Sequence, residues 1–326
     1  MSKFAYIALS GVLLFAIQGC TNSKIKNNDV LKQKAQSQAS QTEITPQAAI
    51  LASKLKFDKA KADGLAFYAP LHMTKAQKLI DDAEKKNKKA PLPEDKQQVI
   101  ALSLEAGNLV SNAYDKKDII EDEFTSLIDH LGLLKAIETN TVLPDQYDKA
   151  VSKLQDVFKE VEGGLLEKAR SKAIKVQIFF GKVEADTLRK KHLQKAKSML
   201  SKAKSVDAKT FAKKSFKKAK AAIEVADKFI DKNYSDREGV ITISTEAYHA
   251  AAKAYYVALE AEKIVAIDEE KAEQYILYVE SLFKTINQNG AIVPNLTSHS
   301  LYVQSAELAA AIKRLQNPGT QSVAEK

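Results

Sequence analysis

The stretch Lys202–Asp231, KAKSVDAKTFAKKSFKKAKAAIEVADKFID, decides the fold class. Ala203, Val206, Phe211, Phe216, Ala219, Ile223, Ala226 and Ile230 recur mostly three or four residues apart. That spacing places them on one side of a helix, with lysines filling the rest. From about Thr45 onward the chain keeps this character. It is rich in Ala, Lys and Glu, strong helix formers, and it has no Trp and few Gly or Pro. Val240-Ile241-Thr242-Ile243 is the one segment with strand character, and it lies inside a helical pattern. The expectation is an all-α protein of elongated helical hairpins or a bundle.

The same pattern occurs twice. Lys59-Ala60-Lys61 matches Lys202-Ala203-Lys204. Ala69, Met73, Ala76, Ile80 and Ala83 match Ala212, Phe216, Ala219, Ile223 and Ala226 at the same offset. Glu105-Ala106 with Ala113-Tyr114 matches Glu246-Ala247 with Ala254-Tyr255, and Pro144 matches Pro294. The copies run over about 48–160 and about 191–312, so two tandem related modules are expected, at 47–162 and 163–316. Gly163-Gly164 is the expected hinge, because adjacent glycines weaken a helix. Gly64, Pro70, Pro91-Leu92-Pro93 and Asn140 to Pro144 punctuate the first module. In the second, Asn233 to Asp236 precedes one long helix over 237–287. Asn287 to Gly290 ends it, and a last helix follows Pro294 to Ser298. Asn317-Pro318-Gly319 then opens a frayed tail, 317–326.

The N-terminus carries the location signal. Lys3 precedes an apolar run from Phe4 to Ala16, closed by Ile17-Gln18-Gly19-Cys20. The run is too short for a finished transmembrane helix and suits an export signal. Its ending resembles a lipobox, which implies that residues 1–19 are removed and Cys20 is acylated. Gln18 departs from the usual small residue at its place. Cys20 is the only cysteine, so no intramolecular disulfide and no cysteine-based metal site is available. Several acyl chains on one residue anchor a protein stably, at about 0.8 kcal/mol per buried CH₂. Thr21 lacks the retention aspartate of inner-membrane lipoproteins, which implies the outer membrane in a Gram-negative host. Residues 20–46 are polar, and their composition predicts a flexible tether.

Ala62 to Ala66, Tyr68-Ala69-Pro70, Ala76, Leu79 and Ala83, with Glu105-Ala106 and Ala113, resemble an Ala-rich helical domain family of bacterial envelope lipoproteins. In some members that domain precedes an OmpA-like domain, which has no counterpart in this chain. The resemblance implies location and fold, and no activity.

Candidate chemistry is sparse. Glu246-Ala-Tyr-His249 has the Glu-x-x-His spacing of di-iron bundles, without the second pair those sites need. Runs such as Glu121-Asp122-Glu123 point in different directions on a helix. No phosphate loop or nucleophile elbow is present, so the chain reads as a non-enzyme with no cofactor and no metal. Basic charge remains. The chain carries +9, concentrated over Lys168–Lys232. Arg189, Lys190, Lys191, Lys213, Lys214, Lys217, Lys218 and Lys220 form a candidate anionic-ligand surface. The plain alternative is a solvated lysine face balanced by glutamates one turn away. The expected partners are the membrane, through acyl chains on Cys20, and peptidoglycan or another envelope protein; nucleic acid is not expected. The leading expectation is a scaffold facing the periplasm. Its rival is a lipid or small-ligand carrier with a groove lined by Tyr248, Tyr255, Tyr256, Phe179 and Phe180.

Overall fold

The computed structural model describes residues 24–89 and 92–316. Among them every regular element is helical. The signal segment, Cys20 and the tail 317–326 lie outside the described residues. The helices are α1 (Asn28–Ser40), α2 (Pro46–Ala62), α3 (Leu65–Tyr68), α4 (Pro70–Asn87), α5 (Pro93–Ala136), α6 (Thr139–Val142) and α7 (Pro144–Glu162). They continue with α8 (Leu166–Leu188), α9 (Gln194–Ser205), α10 (Ala208–Phe211), α11 (Lys213–Asn233), α12 (Arg237–Val265), α13 (Glu269–Ile286) and α14 (Leu301–Gln316). A π-helical turn, Arg189–Leu193, joins α8 to α9.

Two compact units divide the chain differently from the expected modules. One takes in the described residues up to Lys195 together with Ile223–Glu246. The other takes in Ala196–Ala222 and the described residues from Ala247 on. Gly163-Gly164 is therefore no boundary. Val176, Phe180 and Val183 of α8 enter the same core as Leu154, Val157 and Phe158 of α7. The two glycines form a closed turn. Gly164 N–H donates to Val161 O, and Leu165 N–H reaches back to Glu160 O at 2.8 Å. Gly164 supplies the left-handed residue that this Schellman turn needs, at φ 73°.

In the first unit α5 is the spine, 44 residues long, or roughly 66 Å. Its first half packs on α2 and α4 through Leu109, Val110 and Ala113 against Phe57, Leu65, Met73 and Ile80. Its second half, which kinks at Phe124, packs on α7 and α8 through Ile120, Leu127, Leu131 and Leu134. Residues 28–40 correct the expectation of a flexible tether: they form α1, which lies along α5. Its buried side chains are Ala35 and Ala39, and Ala39 touches the cluster of Ala49 and Ile100. Composition hides this helix because its contact stripe is one leucine, Leu31, and two alanines, which add little to mean hydropathy but allow close approach.

One joint recurs three times. A helix ends on a left-handed residue, a single helical turn follows, then one residue near φ −130°, then a long helix. The left-handed residues are Gly64 (φ 81°), Glu138 (φ 64°) and Asp207 (φ 48°). The single turns are α3, α6 and α10, and the bridging residues are Ala69, Leu143 and Ala212. The hydrogen bonds repeat too: Ala69 N–H to Leu65 O, Leu143 N–H to Thr139 O and Ala212 N–H to Ala208 O, at 2.8, 2.8 and 3.0 Å. Proline opens the helix after the first two joints, where its fixed φ suits a first turn and its missing N–H costs nothing. The matched positions Ala69 and Ala212 thus hold the same backbone place. The match lapses later: Pro294 starts no helix, and α14 begins only at Leu301.

The joints predict a contrast between two glycines. A Cβ on Gly64 meets nothing within 4 Å, so Gly64→Ala isolates the backbone cost of a left-handed residue, about 1–2 kcal/mol. A Cβ on Gly164 falls 2.1 Å from the Lys26 side chain, so Gly164→Ala is expected to cost more. Urea unfolding of the two variants reads both losses.

The second unit has an alanine core. Ala203, Ala208, Ala212, Ala219, Ala251, Ala254 and Ala258 are buried, with Phe211, Phe216 and Tyr255 packed around them. The expected single helix over 237–287 is broken at Ala266–Asp268. Asp268 caps α13 by accepting from Lys271 N–H at 3.0 Å. Apolar periodicity runs across this break; the Asp-Glu-Glu signature of a helix start was the local sign of it. Beyond it, Phe283, Val293, Leu296, Leu308 and Ala311 make a small separate cluster.

Candidate anion-binding face

The candidate basic residues separate into two groups. Arg189, Lys190 and Lys191 sit on the π-helical turn and are each engaged within the first unit. Arg189 pairs with Asp186, Asp227 and Asp231. Lys190 Nζ donates to Val142 O at 2.9 Å, and Lys191 Nζ donates to Ile137 O at 3.2 Å and to Glu138 at 2.7 Å. These lysines satisfy carbonyls at the ends of α5 and α6, where the helix dipoles favour positive charge. The sequence gives no sign of this, because their partners lie about fifty residues away.

The other group stays on the surface. Lys213, Lys214, Lys217, Lys218 and Lys220 are all exposed. At 100° per residue they cover an arc of roughly 160° over the first two turns of α11. Ala219, Ile223 and Ala226 are buried on the opposite side. Lys202, Lys204 and Lys209, also exposed, extend the group across α9 and α10. Asp207 is the only acidic residue between Lys202 and Lys220. Among the described residues none of these eight lysines pairs with a carboxylate, so the expected balance by neighbouring glutamates is missing here.

Two local rules run against this arrangement. Lys213 with Lys217 and Lys214 with Lys218 are like charges at i,i+4, each costing about 0.2–0.5 kcal/mol. The first turn of α11 holds no acid, and Lys213 and Lys214 meet the positive end of the helix dipole. An anion on this face relieves both costs at once.

Sequence reading missed the buried polar groups of the first unit. His72 and Glu162 are both fully buried. His72 Nδ1 bonds Glu162 Oε1 at 2.7 Å, and Nε2 bonds Asn112 Oδ1 at 2.8 Å. The same carboxylate accepts from the N–H groups of Leu71 and His72, capping α4 from another helix. His130 Nε2 bonds Glu184 Oε2 at 2.6 Å, and its Nδ1 accepts from Gln177 at 3.0 Å. Arg237 bonds the other oxygen of Glu184. Both ring nitrogens of His72 and of His130 are thus engaged, and each site braces helices against one another. Glu160 is a third. Burial pushes its carboxyl up, and hydrogen bonds from Lys172 and Lys168 outweigh that and hold it below the usual range.

The remaining candidates are placed as follows. Phe180 is buried in the first unit's core; Phe179 packs beside it, with Lys149 and Lys153 over its ring. Tyr255 packs on the alanine core, and Tyr256 is exposed. Tyr248 is half-buried, with its ring against His249. Glu246 and His249 are exposed on α12, and no group of three metal-ligating side chains converges among the described residues. An open cleft of about 430 Å³ is lined by Ile286, Gly290, Ile312 and Leu315.

Fold and surface together define a class: an all-α, alanine-packed protein with a recurring helical joint and an unpaired lysine face. Comparison with known proteins gave no matching family model, no matching curated protein and no matching solved structure.

Proposed function

We propose that this protein is a non-enzymatic envelope lipoprotein, held by acylated Cys20 at the periplasmic side of the outer membrane of a Gram-negative host. Its helical body acts as an interaction scaffold. The observation that carries this reading is the unpaired lysine face over Lys202–Lys220, which suits an extended anionic polymer better than a small enclosed substrate. Peptidoglycan, with its peptide carboxylates, is the anionic polymer that location offers. The lipobox-like ending at Cys20 and the resemblance to envelope lipoproteins support the location. The inward-facing histidine braces fit a scaffold that carries out no reaction.

The test is co-sedimentation of the chain from Thr21 onward with purified cell-wall sacculi across a salt series. Binding is expected at low salt and is expected to weaken as the charges are screened. Changing Lys213, Lys214, Lys217, Lys218 and Lys220 to glutamine removes five exposed contacts at about 0.2–1 kcal/mol each, so binding is expected to fall at least about fivefold. No binding at low salt, or an unchanged affinity in the glutamine variant, rejects peptidoglycan as the partner of this face.

A further inference from the structure

The anchor and the folded body are almost contiguous. Lys26 N–H donates to Glu162 O at 3.0 Å, and Lys24 O approaches the Cβ position of Gly163 to 3.3 Å. Ile25 and Leu31 pack on the core of α2, α4 and α5. The chain is therefore pinned from Lys24 onward, and only Thr21, Asn22 and Ser23 separate that point from Cys20. At 3.3–3.6 Å per residue this leash reaches at most about 14 Å. A body on so short a leash cannot roam; the surface around Lys24 must lie against the bilayer.

That surface is the α7–α8 turn, beside the middle of α5. It carries Lys24 and Lys26, both exposed, beside Gly163 and Gly164. Leu165 follows, 48% exposed. The side chain of Lys168 is 58% exposed with its amine on buried Glu160, and Glu167 is the exposed acid of the group. Basic side chains around an exposed leucine fit the boundary between anionic headgroups and acyl chains, and each lysine there strengthens contact about fivefold.

We infer that the α7–α8 turn, with Lys24, Lys26 and Leu165, is a membrane-docking surface for anionic phospholipid headgroups. This rests on the acylation of Cys20 proposed above. The docked turn then orients the first unit, and α4 starts beside it. Its N-terminus sits on Glu162, and Lys88 just past its C-terminus lies roughly 25 Å along the axis.

The acylated full chain, in vesicles of phosphatidylethanolamine and phosphatidylglycerol with headgroup-quencher lipids, tests this. Acylation consumes the Cys20 thiol, so Leu165→Cys or Lys88→Cys each offers a single site for a fluorophore. Strong quenching at Leu165→Cys and little at Lys88→Cys is the expected result. Inserting about 20 Gly/Ser residues after Thr21 gives the leash a span of about 25 Å and frees the body from it; the difference is then expected to persist in these anionic vesicles and to vanish in vesicles of neutral phosphatidylcholine. Equal quenching at the two positions, stronger quenching at Lys88→Cys, or a difference that after the insertion is the same in neutral as in anionic vesicles overturns the headgroup docking. Failure of the acylated chain to float at all overturns the anchor instead, and the docking with it.

Discussion

Glu162→Ala is expected to lower the unfolding free energy of the first unit by about 3–5 kcal/mol. The carboxylate is fully buried and serves three donors from another helix: the Leu71 N–H, the His72 N–H and the His72 ring. Removing it strands two orphan amides at the start of α4 and leaves a buried imidazole with one partner. Alanine also leaves a void at the C-terminus of α7, where Lys26 binds the Glu162 carbonyl. Glu162→Gln retains an oxygen that accepts from the amides and is expected to lose less. Urea unfolding followed by far-ultraviolet circular dichroism measures both. A loss under about 1 kcal/mol in the alanine variant, the worth of an ordinary hydrogen bond, would show that Glu162 does not brace the unit.

Phe158→Ala is the second large effect, at about 3–5 kcal/mol. Phe158 is fully buried in the core of α5, α7 and α8. Its ring meets Phe67 edge-on at 5.4 Å and stacks on Tyr68 at 6.0 Å. Both partners belong to α3, the single turn of the first joint. The aromatic cluster therefore fastens the joint to α7, and its loss is expected to loosen α3 as well as empty the core. A double-mutant cycle with Phe67→Leu and Phe158→Leu is expected to show coupling of about 0.5–1.5 kcal/mol. Coupling near zero would separate the joint from the core.

These two residues mark where sequence reading stops. Phe158 is visible as an apolar position in a helical pattern, but its partners are about ninety residues away. Glu162 looks like any surface glutamate before a glycine pair. The same limit divides the lysines. In sequence, Arg189-Lys190-Lys191 and Lys217-Lys218 are equivalent basic runs. The π-helical turn aims the first run at Asp186, Asp227 and the carbonyls of Ile137 and Val142, while α11 leaves the second in solvent.

The sequence by itself determined the helices and most of their ends. Propensity and periodicity are local, and Gly64, Pro70, Pro93 and Pro144 act through their own dihedral angles. It also matched Ala69 with Ala212, and the structure gives both the same place in the joint, because equal spacing of small and large residues imposes equal geometry. The tertiary structure alone decided which helices share a core, that α1 is docked, and that the units divide within α9, α11 and α12 and not at Gly163-Gly164. Those outcomes depend on burial against distant segments. An alanine stripe or a lone glutamate takes its energy from what it packs against, and a single stretch of sequence does not contain that partner.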